Sequence, residues 1–121
     1  MSTRSHIIIK GLRPMLYRHC DGYPTTEHGV LATLLPFLTE FMAVRGDDPS
    51  YMLARMAQRL MNKHVPDEFL SYGIDMAMHG DEEYVYVVDT KKRVVEVRGT
   101  MAGFGDIPHL RHTELLSKET F

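Results

Sequence analysis

Asp48-Pro49 sits between two stretches of helical period, and that arrangement in the middle of the chain limits the fold more than any other feature. Before it, Val30, Leu31, Leu34, Leu35, Leu38, Phe41 and Met42 recur at the spacing that lines one broad helix face. The spacing predicts a helix over about 27–44, with Thr25 or Thr26 as its cap and Arg45-Gly46 closing it. Pro36 lies inside this span and removes the amide that would bond the Ala32 carbonyl, so a kink or break is expected there. Asp48 then offers an N-cap acceptor and Pro49 a pre-set first helical residue. Met52, Leu53, Met56, Ala57, Leu60 and Met61 form a second apolar face, predicting a helix over about 49–63 that ends before Pro66.

Both flanks of this helix pair read as strands. Ile7-Ile8-Ile9 is a β-branched run, Gly11 and Pro14 supply turn chemistry, and Met15 to His19 follows, which predicts a hairpin with strands near 5–10 and 15–20. Asp21-Gly22-Tyr23-Pro24 stops the second strand, because the proline pushes Tyr23 to an extended conformation. In the last third, Tyr72 to Met78 reads as a short strand. Tyr84 to Asp89, the turn at Thr90-Lys91-Lys92 and the return over Val94 to Val97 make a second hairpin. Beyond Gly99 the pattern weakens: Met101 to Gly105 reads as a glycine-rich loop and residues 108–121 as a short helix or loose tail. The expected class is α+β, an antiparallel or mixed sheet covered on one face by two helices, in the order β-β-α-α-β-β-β.

The length of 121 residues suits one domain over 1–121. A hydrophobic content of 44% with 25% charged residues is that of a globular chain. Fourteen Lys and Arg against sixteen Asp and Glu leave a net charge of −2, so nothing in the total attracts a polyanion, and direct nucleic-acid binding is not expected. The dense acidic run is Asp81-Glu82-Glu83. A single cysteine, Cys20, excludes an intramolecular disulfide and fits a reducing compartment. The polar start at Met1 to Ser5 leads into only three aliphatic residues, neither a signal peptide nor a membrane span, which points to the cytoplasm.

Ser2-Thr3-Arg4-Ser5, the stretch Leu16-Tyr17-Arg18-His19-Cys20-Asp21-Gly22-Tyr23-Pro24 and Gly29 together carry a pattern. It resembles a group of small proteins from bacteriophages and mobile elements, which open on a Thr-Arg-Ser-like segment and place a Tyr-x-His-x-Asp-Gly-Tyr-Pro stretch before a helix. The similarity extends to Gly80-Asp81-Glu82-Glu83-Tyr84-Val85-Tyr86-Val87-Val88-Asp89, since members often end on an acidic residue and a Tyr-Val-Tyr-Val strand. Cys20 stands where many members have Trp. The resemblance implies a phage or prophage origin and no particular chemistry.

Among residues able to do chemistry, His19 with Asp21 and His79 with Asp81 repeat a two-residue spacing that puts both side chains of a strand pair on one face. Converging, the pairs would make a four-ligand metal site for a hydrolase or nuclease. The plainer reading is preferred: Asp21 organises its turn, His19 bonds a backbone group, and His79-Gly80-Asp81 is loop. Cys20 as a nucleophile would need a base, and adjacent His19 points to the opposite strand face, so a structural cysteine is preferred. Gly99, Gly103 and Gly105 lack the helix and cation of a phosphate loop, and Asp106 follows them directly. Arg4, Arg13, Arg18, Lys91, Lys92, Arg93 and Arg98 are interrupted by Asp89 and Glu96, which favours a solvated mixed-charge face. Met52, Met56 and Met61 read as core before partner surface, and the same applies to Met76 and Met78.

The expected function is therefore a non-enzymatic phage protein, without cofactor, that blocks a host defence complex such as a CRISPR–Cas assembly by steric occlusion. The expected contact residues are Tyr23, Asp81, Glu82, Glu83, Tyr84 and Tyr86: acidic groups for a basic partner surface and tyrosines as anchors. The metal-dependent hydrolase and an oligomeric structural or regulatory protein are the alternatives.

Overall fold

The computed structural model describes residues 3–19, 22–24, 29–63, 72–78, 82–100 and 113–121. The elements run β1 (Ser5–Ile9), β2 (Met15–Arg18), α1 (Val30–Val44), α2 (Pro49–Lys63), β3 (Tyr72–Asp75), β4 (Tyr84–Asp89), β5 (Val94–Thr100) and β6 (Thr113–Thr120). The strands form one sheet of order β3-β2-β1-β4-β5-β6, antiparallel except where β1 lies parallel to β4. The class is α+β, as the alternation of β-branched flanks and a helical centre predicts.

Local chemistry accounts for the turns. Gly11 has φ 91° and the Leu12 amide donates to the Ile9 carbonyl at 3.0 Å, so the β1–β2 turn uses the left-handed conformation that glycine adopts without steric cost. After β4, Asp89 Oδ1 accepts the amides of Lys91 and Lys92 at 3.1 and 3.0 Å, closing the turn with a side chain. Gly46, at φ 80°, ends α1, and the Asp48 carbonyl accepts the Met52 amide at the start of α2. The Asp48 carboxylate pairs with Arg45 at 3.1 Å.

The start of α1 differs from expectation. Its N-cap is Gly29, with no side-chain cap; the amides of Val30 and Leu31 donate instead to the carbonyls of Tyr23 and Pro24. Backbone carbonyls of the Gly22-Tyr23-Pro24 segment thus do the work assigned to Thr25 or Thr26, which lie outside the described residues. The helix also continues through Pro36 as one element from Val30 to Val44.

Alternation along the strands sorts the side chains. Ile7, Ile9, Leu16, Tyr86, Val88, Val95 and Val97 meet Val30, Leu34, Leu38, Met52, Met56 and Leu60 from both helices in the main core. Met52 and Met56 are core residues, whereas Met61 is exposed. The opposite face holds a smaller cluster of Met15, Met78, Val85 and Val87, with Ile8 against it. Met78 belongs to the segment that leaves edge strand β3 for central β4, and its burial seals part of that second face.

The C-terminal segment is the clearest correction. Residues 113–120, expected as helix or loose tail, form edge strand β6, which pairs with β5 from Val94↔Thr120 to Thr100↔Thr113 with a register shift at Val97/Arg98. Strand β5 is correspondingly longer than Val94 to Val97. Thr-Glu-Leu-Leu-Ser-Lys-Glu-Thr has no alternation of its own, so only a neighbouring strand makes it one.

Pro36 leaves the Ala32 carbonyl without its helical donor, and the residue is solvent-exposed. Pro36→Ala should therefore raise stability by about 1–3 kcal/mol, read as a higher urea midpoint at unchanged slope. A lower midpoint would show that the packing of α1 requires the proline.

Candidate functional site

Three segments, around Thr3-Arg4, Gly22 and Glu83-Tyr84, meet at one end of the sheet, where β1 and β4 begin. The Thr3 carbonyl accepts the Gly22 amide at 2.7 Å, and the Arg4 carbonyl accepts the amides of Glu83 and Tyr84 at 2.8 and 3.4 Å. The Tyr86 hydroxyl, fully buried, donates to the Gly22 carbonyl at 2.6 Å. A Cβ on Gly22 would collide with Ser5 Oγ and stand 2.8 Å from the Thr3 carbonyl, so only glycine fits this close approach. Burial pushes the Tyr86 hydroxyl far above its ordinary value, with the Arg18 charge opposing.

The same end buries an unusual amount of polarity. Ser5, His6, Arg18 and Glu82 are all in the interior. The His6 ring is fully buried; its Nε2 hydrogen-bonds Asp75 Oδ2 at 3.4 Å and its Nδ1 lies 3.5 Å from Glu82 Oε2. Each ring nitrogen thus faces a carboxylate, one on β3 and one on the segment entering β4, and the imidazole ties both to the central strand. The Tyr17 ring packs on His6 with centroids 5.2 Å apart, and Tyr17 Oη is hydrogen-bonded to His19 Nδ1 at 3.0 Å. On the helix side of the sheet, the Arg18 guanidinium stands over the Tyr72 ring at 5.7 Å, and Tyr72 donates to the Leu60 carbonyl of α2. Burying groups of this kind is costly unless they are paired, and here the pairs connect strands, crossover and helix.

Of the six expected contact residues, Glu82 and Tyr86 need correction. They are 1% and 0% exposed, so they hold the fold together and present nothing to a partner. Alternation puts Tyr86 on the core face of β4, and Glu82 turns inward to His6. Glu83 is exposed, Tyr23 and Tyr84 are partly exposed, and Asp81 lies outside the described residues. Asp21, His79 and Cys20 also lie outside them. Their convergence with His19 is thus not a feature of the described structure, and His19 is engaged with Tyr17. Among the described residues, no three His, Cys, Asp or Glu side chains gather as metal ligands would.

The seven basic residues considered in the sequence do not form one sheet face. Arg18 is buried beneath the helices, Arg98 pairs with Glu96 at 2.8 Å, and Lys91 and Lys92 sit on the far turn. His6 and Asp75 were passed over in the sequence. A histidine opening an isoleucine run reads as a strand boundary, and nothing local connects it to a carboxylate 69 residues away. Comparison with protein-family models, curated proteins and solved structures found no match for this chain.

Two substitutions probe the stitching. Gly22→Ala should destabilise by about 1–3 kcal/mol, because the new methyl must displace Ser5 or the Thr3 backbone. Tyr86→Phe should cost about 1–2 kcal/mol at neutral pH through the lost buried hydrogen bond. The raised Tyr86 value adds a sign: the hydroxyl stays protonated in the folded chain while the unfolded chain releases its proton above about pH 10. Wild-type stability should thus fall as pH rises past 10, and Tyr86→Phe should lack that component in urea titrations.

Proposed function

We propose that this chain is a protein-binding module that acts through its surface, a phage or mobile-element accessory protein that occupies a host defence complex such as a CRISPR–Cas assembly. The observation that carries this reading is the placement of Tyr23, Glu83 and Tyr84. They come from two distant parts of the chain, and backbone hydrogen bonds through Thr3, Arg4 and Gly22 hold their segments at the same end of the sheet. Glu83 is exposed and the two tyrosines are partly so, an acidic group beside aromatic anchors.

A surface held this way is ordered before binding, so little conformational entropy is lost on association. Acidic Glu83 complements a basic partner, and complexes that handle nucleic acid present basic surfaces. Occlusion needs only a standard interface of ~800 Å² per partner, within reach of a domain this size. The phage origin rests on the sequence resemblance, and the defence target follows from it together with this acidic, tyrosine-flanked end.

The test is plaquing of a targeted phage on a bacterium with active CRISPR–Cas immunity, with and without the protein, paired with co-elution of the purified protein and the effector complex. Restored plaquing and a stoichiometric complex are expected. Glu83→Lys, on an exposed side chain, should weaken the complex at least about tenfold while the urea midpoint holds. Intact immunity with no co-elution overturns the proposal, and so does a complex indifferent to Glu83→Lys for this surface.

A further inference from the structure

The end of the sheet opposite the stitched segments has a different character. There the β1–β2 turn, the β4–β5 turn and the loop between α1 and α2 enclose a cleft of about 500 Å³, within the range of ligand-binding clefts. Lys10, Lys91 and Lys92 line it, Lys10 with its side chain 66% exposed. Its two carboxylates are already committed. Asp89 accepts two turn amides and lies 3.5 Å from the Lys10 ammonium, and Asp47 accepts the Thr90 hydroxyl at 2.7 Å.

The total charge of −2 conceals this concentration. Lys10, Arg13, Arg45, Lys91, Lys92 and Arg93 stand on the three loops with Asp47, Asp48 and Asp89; Lys10 pairs with Asp89, Arg45 with Asp48, and Arg93 is held by the Phe121 carbonyl at 3.1 Å. Arg13, Lys91 and Lys92 are exposed and make no ion pair among the described residues. Tyr51, on the first turn of α2, is 48% exposed and lines a second hollow with Ser50, Ala54, Arg55 and Gln58. The Arg45 guanidinium, from the loop between the helices, stacks over its ring at 3.7 Å and connects this hollow to the cleft.

We propose that this cleft binds single-stranded nucleic acid, with Lys10, Lys91 and Lys92 on the phosphates and the Tyr51–Arg45 pair as a stacking platform for a base. Cations that track a backbone next to an exposed aromatic plane are the combination that single strands use. A duplex keeps its bases stacked inside and leaves Tyr51 nothing to bind, and a free phosphate compound would make no use of the ring. This site is at the other end of the molecule from the proposed protein contact and does not depend on it.

The experiment is fluorescence anisotropy of a labelled oligothymidylate at low salt, with a duplex of the same length in parallel. Saturable binding to the single strand is expected, tighter than to the duplex. Three phosphate contacts predict that log K falls with log salt at a slope of about −2. Lys91→Glu with Lys92→Glu should weaken binding at least tenfold without changing the urea midpoint. Tyr51→Ala should weaken it about fivefold or more while leaving the salt slope in place. No saturable change, or binding unaffected by the lysine reversals, overturns the site. Equal affinity for duplex, or indifference to Tyr51→Ala, overturns the single-strand assignment and leaves a cationic patch only.

Discussion

The hydrogen bonds made by the backbone of Thr3 and Arg4 are the constraint on which the rest of the structure leans. One carbonyl holds Gly22 and the next holds the entry to β4, so a short extended segment before β1 fixes both the chain ahead of α1 and the parallel strand beside it. From Gly22 the order propagates to the helices, because Tyr23 and Pro24 cap α1 with their carbonyls. It propagates to the sheet as well, because Tyr86 donates back to Gly22 from the middle of the core. Loss of this joint would uncouple the two layers at their common edge.

The parallel pairing of β1 with β4 explains why so much polarity is buried nearby. β3 lies at the sheet edge and β4 at its centre, so β2 and β1 stand between two strands that are consecutive in the chain. Met78, after β3, packs with Met15, Val85 and Val87 on the face away from the main core, and Glu82, before β4, meets His6. A buried imidazole flanked by Asp75 and Glu82 is a weak source of net stability, but it is specific about which strand sits where. That specificity matters in a small sheet with two edge strands and a register shift.

The molecule is consequently polarised. One end carries Glu83 with Tyr23 and Tyr84 on an ordered backbone, and the other gathers lysines and arginines on three loops around a cleft. β1 and β4 run from the first end to the second, a separation of roughly 17 Å for five extended residues.

Much of the local structure was legible in the residues. The apolar periods on either side of Asp48-Pro49 placed both helices, α2 at its observed bounds, and the Tyr-Val-Tyr-Val run placed β4 at its own, because each pattern is satisfied by hydrogen bonds within the element or to the next one in the chain. Three things needed the tertiary structure. Strand β6 exists only because β5 offers an edge to an otherwise indifferent sequence; Glu82 and Tyr86 are interior because the crossover and the core face of β4 turn them inward; and the His6 cluster and the basic cleft join residues from three separate elements. Periodicity reports which face of an element is apolar, whereas pairing between distant segments depends on geometry that no local pattern encodes.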